Sequence, residues 1–146
     1  MSDEQPLYRP SEAAAPPTGG RRPTATIMVV DDDTEWLADL QTWLTHDGYE
    51  VVAIARGEWV IQAVGFHEPD VVLLDVEFPG ADGLALLGHL QRRHPKLPVV
   101  MMTAFGNVDI QNRARALGAV AYFDKPFRID ALLRTLRSIC RPESAA

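Results

Sequence analysis

The chain has 146 residues, of which 47% are hydrophobic and 23% are charged, and its formal net charge is −6. These values fit one ordinary soluble domain, large enough to bury a core without disulfides or structural metal. Because binding to nucleic-acid phosphates needs clustered Lys and Arg, the acidic balance argues against direct nucleic-acid binding by this chain.

The first 23 residues contain five of the eleven prolines and show neither helical nor strand periodicity. We therefore predict a flexible tail over residues 1–23, a folded domain over 24–141 and a short C-terminal tail over 142–146. No stretch approaches the roughly 20 apolar residues of a membrane helix, and no secretory signal is visible. A single cysteine, Cys140, suits a reducing compartment. We expect a cytoplasmic protein without membrane contact.

From residue 26 onward, short β-rich runs alternate with segments of helical period. This alternation predicts βαβ units around a parallel sheet, which is an α/β fold. The predicted strands are too continuously apolar for one solvated face, so we expect them to be buried. They cover residues 26–30, 50–55, 71–74, 99–102 and 120–123.

An amphipathic helix is predicted after each strand. The first is expected to begin at an Asp33 or Thr34 cap and to end near Gly48, and the third to stop at His94. The residues predicted to pack inward are Trp36, Leu37, Leu40, Trp43 and Leu44 in the first helix, Val60, Ile61 and Val64 in the second, Leu84, Leu87 and Leu90 in the third, Ile110, Ala114 and Leu117 in the fourth, and Ile129, Leu132, Leu133, Leu136 and Ile139 in the fifth. The fourth helix, with the smallest apolar set, should be the most weakly held.

Polar residues stand at the carboxyl ends of four predicted strands. Asp31 and Asp32 follow the first strand, Asp75 the third and Thr103 the fourth, and Lys125 comes shortly after the fifth. In an open doubly wound sheet, ligands bind beyond these ends, where the strand order reverses. In the 2-1-3-4-5 order, the first and third strands are neighbours at that point. The carboxylates, the hydroxyl and the ammonium would then meet in one crevice.

Converging carboxylates repel one another unless a cation neutralises them, and hard oxygen ligands suit Mg2+. Asp75 could supply the nucleophilic oxygen of a phosphoryl transfer and become an aspartyl phosphate. Lys125 would neutralise phosphate oxygens, and the Thr103 hydroxyl would donate a hydrogen bond to another. The alternative for Asp31 or Asp32 alone is a helix cap. A buried Asp75 needs a partner in either case.

At these residues the sequence resembles the response-regulator receiver family of two-component signalling. The resemblance runs from about residue 26 to 141, nearly everything outside the tail. It is carried by the segments 28–33 (MVVDDD), 74–75 (LD), 78–80 (FPG), 82–84 (DGL), 102–104 (MTA) and 122–127 (YFDKPF). It implies a flavodoxin-like (βα)5 sandwich with strand order 2-1-3-4-5.

The resemblance also implies roles for single residues. Asp75 is then the phosphoacceptor, and Thr103 and Lys125 hold the phosphoryl group. Asp32 and Asp75 ligate Mg2+ directly, Asp31 assists through water, and the main-chain carbonyl of Glu77 is a further ligand. The metal-ligand set is Asp31, Asp32, Asp75 and Glu77.

Further expectations accompany the resemblance. Tyr122 would turn inward as Thr103 moves toward the phosphate, and the fourth helix would shift with the fifth strand and helix. Lys125 and Pro126 would be joined by a cis peptide bond. The phosphodonor would be a sensor histidine kinase or a histidine phosphotransfer protein, and phosphorylation would favour a homodimer. Glu77 and Phe105 border the phosphoryl group in such proteins and vary, so their effect on phosphate lifetime has no predicted sign.

Three other functions share features with this sequence. A haloacid-dehalogenase-like phosphohydrolase also uses an aspartyl nucleophile. That family has a second Asp two residues after the nucleophile, where this chain has Glu77. A pseudo-receiver would lack the set of Asp, Thr and Lys. A receiver fragment of a longer DNA-binding response regulator stays open, because residues 103–127 resemble receivers that precede such outputs. We expect no enzyme, since the domain would catalyse only its own phosphorylation and dephosphorylation.

Overall fold

The structure, a computed structural model, describes residues 25–78 and 81–140. Strands and helices alternate along nearly all of this range. The elements in chain order are β1 (Thr26–Val30), α1 (Thr34–His46), β2 (Glu50–Ile54), α2 (Val60–His67), β3 (Val71–Asp75), β4 (Glu77–Phe78), β5 (Ala81–Asp82), α3 (Gly83–Arg93), β6 (Val99–Thr103), α4 (Val108–Ala116), β7 (Ala121–Asp124) and α5 (Ile129–Ile139).

Five of the strands form one parallel sheet with the order β2-β1-β3-β6-β7. Counted along the sheet strands alone, this is the predicted 2-1-3-4-5 order, so the fold class is confirmed. The order reverses between β1 and β3, which are hydrogen-bonded neighbours. A two-stranded antiparallel ribbon, β4-β5, follows β3 and was not predicted.

Each face of the sheet has its own core. Successive side chains of a strand point to opposite faces, so Met28 and Val30 pack on one side of β1 while Ile27 and Val29 pack on the other. Helices α2, α3 and α4 cover the first face, and α1 and α5 cover the second. Burial on both faces explains why the strands are apolar throughout.

Helix termini follow local side-chain chemistry. The carboxylate of Asp33 accepts a hydrogen bond from the Trp36 N–H at 3.2 Å, so Asp33 is the N-cap of α1. Gly48, at φ 99°, follows the helix in the left-handed region that favours glycine. Gly83 starts α3 where a Cβ would come within 2.4 Å of the Asp75 carbonyl oxygen. The sequence Asp82-Gly83 therefore brings α3 tightly against the end of β3.

Three packing predictions were wrong. β7 is only partly buried, because it lies at an edge of the sheet and α4, which packs beside it, has Ala114 as its one buried residue. Trp43 is 41% exposed and Leu117 is 38% exposed, although both were expected to face the core. Ala114 is the one buried residue of α4, which agrees with the small apolar set predicted for that helix.

The predicted tails, residues 1–23 and 142–146, lie outside the described residues, so the domain boundaries stay predictions. Within the ranges 25–78 and 81–140, we find no helix with the length and apolar character needed to span a bilayer.

Candidate functional site

The predicted site residues meet at the carboxyl edge of the sheet. Asp31 directly follows β1, while Asp75 and Thr103 are the last residues of β3 and β6. Lys125 directly follows β7, and its backbone N–H donates to the Thr103 carbonyl at 2.7 Å. The topology therefore brings together side chains that are up to 94 residues apart in the chain.

Three carboxylates form the acidic part of the site. Asp31, Asp32 and Asp75 each place an oxygen so that all three atoms lie within 4.8 Å of one another. Asp31 is fully buried and Asp75 is 4% exposed, whereas Asp32 is open to solvent. Hard carboxylate oxygens with one solvent-facing side are what Mg2+ prefers, because the ion keeps part of its water shell. The arrangement fits a divalent cation.

Lys125 provides the positive charge within this cluster. Its Nζ donates to Oδ2 of Asp31 and, at 3.3 Å, to Oδ2 of Asp75. The other Asp75 oxygen, Oδ1, accepts from the Glu77 N–H at 3.2 Å. The ammonium also lies 5.5 Å from the centre of the Trp36 ring, a cation–π distance. The Lys125-Pro126 peptide bond is cis, as expected from the family resemblance.

The crowding of carboxylates changes the acidity of the site. Burial, and after it the neighbouring Asp31 carboxylate, raise the pKa of Asp75 to about 7, although the Glu77 N–H and Lys125 oppose this rise. Burial alone would lower the pKa of Lys125, but the hydrogen bond and charge of Asp31 raise it. Lys125 therefore stays protonated, and it is Asp75 whose charged form is disfavoured.

The raised pKa of Asp75 determines whether this residue stabilises or destabilises the fold at a given pH. A carboxyl whose pKa is higher in the folded state than in the unfolded state destabilises the fold as pH rises between the two values. Without metal, we expect Asp75→Asn to stabilise the protein by about 2 kcal/mol above pH 7 and by little near pH 4. Thermal unfolding in EDTA from pH 4 to 8 measures this. A gain in stability that stays constant over that range would contradict the raised pKa of Asp75.

Thr103 is fully buried and donates its hydroxyl to the Glu77 side chain. Its Oγ1 lies 2.9 Å from Oε2 and 3.0 Å from Oε1 of Glu77. The same oxygen accepts from the Phe105 N–H at 3.1 Å. Sequence reasoning placed both residues at the site but did not find this contact, because it depends on which way the Glu77 side chain turns.

Tyr122 reaches the site from the middle of β7. Its hydroxyl is buried and lies beside the carboxylate of Asp124. Burial, and next to it the carboxylate of Asp124, raise the pKa of this phenol. A Cβ on Gly106 would lie 1.8 Å from the Tyr122 oxygen and 2.6 Å from Cγ2 of Thr103. The missing side chain of Gly106 therefore leaves space for the Tyr122 hydroxyl. In the sequence, the one sign of this role is that Gly106 closely follows Thr103.

The family model and the sequence relatives that match this chain point to the same family. Residues 27–137 match the family model of the response regulator receiver domain. The DNA-binding transcriptional regulator NtrC of Escherichia coli strain K12 is 41% identical over 104 residues, which are 71% of this chain and 22% of NtrC. The transcriptional regulatory protein TcrA of Mycobacterium tuberculosis is 37% identical over 122 residues, 84% of this chain and 48% of TcrA. The chain thus spans less than half the length of either relative.

Solved structures agree with the sequence relatives. The receiver domain of NtrX from Brucella abortus superposes with a TM-score of 0.75 at 31% identity, covering 80% of this chain and 99% of that one. The BeF3-activated N-terminal receiver domain of RstA from Klebsiella pneumoniae superposes with a TM-score of 0.75 at 30% identity, with 80% and 99% coverage.

Proposed function

This chain belongs to the response regulator receiver family of two-component signalling, and from that premise we propose that it accepts a phosphoryl group on Asp75. The observation that carries the proposal is the convergence of Asp31, Asp32 and Asp75 with Lys125 at the strand ends. The Asp75 carboxylate is buried and has a cation, Lys125, as its partner. Receiver domains typically signal in this way and do not turn over a metabolite.

In the proposed reaction, a carboxylate oxygen of Asp75 forms a bond to phosphorus while the bond to the donor's leaving group breaks. Lys125 turns from Asp31 and Asp75 toward the phosphoryl oxygens and neutralises their charge. The Thr103 hydroxyl donates a hydrogen bond to another of these oxygens. Lys125 already contacts the Asp75 carboxylate, and Thr103 ends β6, the strand next to β3, which keeps the ordering cost of the reaction low.

The proposal includes a Mg2+ ion. Asp32 and Asp75 would bind it directly, Asp31 would bind it through water, and the main-chain carbonyl of Glu77 would be a further ligand. When bound, the ion neutralises the carboxylates and the negative charge that develops on the transferred group. The protein's own contribution is to hold three oxygens within 4.8 Å before the ion arrives.

The phosphorylated state would be read through α4, β7 and α5. As Thr103 turns to the phosphate, Tyr122 moves further inward beside Gly106 and the face around it changes. Helix α4 is suited to such a shift because Ala114 is its one buried residue. The change would support a homodimer or the binding of a target protein. Backbone amide shifts of α4 and β7 in the phosphorylated protein are its readout.

The partner that supplies the phosphoryl group would be a sensor histidine kinase or a histidine phosphotransfer protein, in the cytoplasm. Longer relatives favour a second function, in which this receiver controls a DNA-binding output of a larger regulator, since the match spans only 22% of NtrC. DNA binding by the full-length gene product, with none by residues 1–146 alone, would support that second function.

Intact-mass spectrometry after incubation with acetyl phosphate and Mg2+ tests the central proposal. We expect one phosphoryl adduct on the parent protein and none on the Asp75→Asn variant, which keeps the shape of the side chain but lacks the nucleophilic oxygen. An adduct on both proteins, or on neither, would contradict the proposal. Steady turnover of p-nitrophenyl phosphate would instead favour a phosphohydrolase.

A further inference from the structure

The hydroxyl of Thr103 is already engaged within the protein. It lies within hydrogen-bond distance of both carboxylate oxygens of Glu77, at 2.9 and 3.0 Å, and it accepts the Phe105 N–H at 3.1 Å. A hydroxyl has a single proton to donate. While that proton points to Glu77, it is not available to a phosphoryl oxygen on Asp75.

We propose that the Glu77 side chain is a positioning residue that holds the Thr103 hydroxyl away from the phosphoacceptor and so slows phosphoryl acceptance. The inference rests on the proposed function of Asp75 and Thr103, and it assigns to Glu77 a side-chain role distinct from its main-chain carbonyl. Glu77 is in effect an internal anion that competes with the incoming phosphoryl group for the same donor.

Two features make the competition effective. The Glu77 backbone is tied to the acceptor, because its N–H donates to Oδ1 of Asp75 at 3.2 Å, so the carboxylate remains close to Thr103. The Glu77 carboxylate, which accepts the hydrogen bond from Thr103, is also charged. Hydrogen bonds to charged groups are roughly twice as strong as those between neutral groups. Thr103 is fully buried, so water cannot readily replace Glu77 as its partner. A phosphoryl group, which is itself anionic, can.

A double-mutant cycle separates this contact from simple charge repulsion. We expect Glu77→Ala to accelerate adduct formation from acetyl phosphate about tenfold, the value of one hydrogen bond to a charged acceptor. Glu77→Gln, whose amide oxygen can still accept from Thr103, should give a smaller gain. In the background of Thr103→Val, which has no hydroxyl, Glu77→Ala should give no gain. An equal gain in both backgrounds would overturn the proposal, since repulsion does not need the hydroxyl.

A spectroscopic measurement tests the contact without phosphorylation. The Phe105 amide donates to Thr103 Oγ1, so its chemical shift should change in metal-free Glu77→Ala relative to the parent. Thr103→Val should abolish that dependence on residue 77. An unchanged Phe105 amide in Glu77→Ala would overturn the proposal. If the parent forms no adduct, the proposed function fails; if the adduct forms without the background-dependent gain, only the role of Glu77 fails.

Discussion

Replacing Lys125 with Met should slow phosphoryl acceptance on Asp75 by at least about 100-fold, because one preorganised donor aimed at developing charge typically contributes that much. Methionine keeps the length of the side chain but removes the ammonium that contacts Asp31 and Asp75. The same change should destabilise the metal-free protein by about 2 to 4 kcal/mol, since it leaves two buried carboxylates without a cation. Adduct formation by mass spectrometry and thermal unfolding in EDTA measure the two effects.

The chain offers a matched control for this variant. Its one other lysine, Lys96, is exposed and lies just before β6, at the opposite end of the sheet. Lys96→Met should change neither the phosphorylation rate nor the unfolding temperature appreciably. We also expect Mg2+ to restore most of the stability of Lys125→Met, because the ion supplies positive charge at the same carboxylates. A Lys125→Met protein that is phosphorylated at the parental rate would remove Lys125 from the proposed reaction.

Most of the site could be predicted because it follows from topology. Once strands ending in Asp31 and Asp75 are neighbours in a parallel sheet, their carboxylates must meet, and the ends of β6 and β7 add Thr103 and Lys125. The strand order itself came from the family resemblance, since periodicity alone does not order strands. The strand ends could therefore be predicted from the residue pattern, and the strand order only from the family motifs.

What could not be predicted depends on side-chain direction and local crowding. The contact between Glu77 and Thr103 depends on one rotamer, and the short β4-β5 ribbon that contains Glu77 has too few residues for a strand pattern. The exposure of Trp43 was missed because helical spacing marks a broad apolar stripe but not its edge. The space that Gly106 leaves for Tyr122 is a three-dimensional fit with no periodic signal.

Removing Mg2+ should cost the protein both its phosphorylation and part of its stability. A ligand present at 100 times its Kd stabilises the folded state by about 2.7 kcal/mol, or of the order of 10 °C for a domain of this size. Asp32→Asn removes the solvent-exposed carboxylate of the proposed ligand set and should weaken Mg2+ binding by about 100-fold. The stabilisation at the same Mg2+ concentration then falls to about 0.4 kcal/mol. Thermal unfolding with and without EDTA measures both values.

The sign of the Asp32→Asn effect in the absence of metal makes the experiment decisive. One oxygen of Asp32 lies within 4.8 Å of an oxygen of each of two other carboxylates. Without Mg2+ the charge of Asp32 adds to the repulsion among them, so the variant should be slightly more stable than the parent. With Mg2+, the order should reverse. Asp39→Asn, which removes an exposed acid from α1, should leave the order unchanged in both conditions. A variant that is less stable than the parent with and without Mg2+ would mean that Asp32 supports the fold and not the ion, because only a ligand reverses its contribution when the ion is removed.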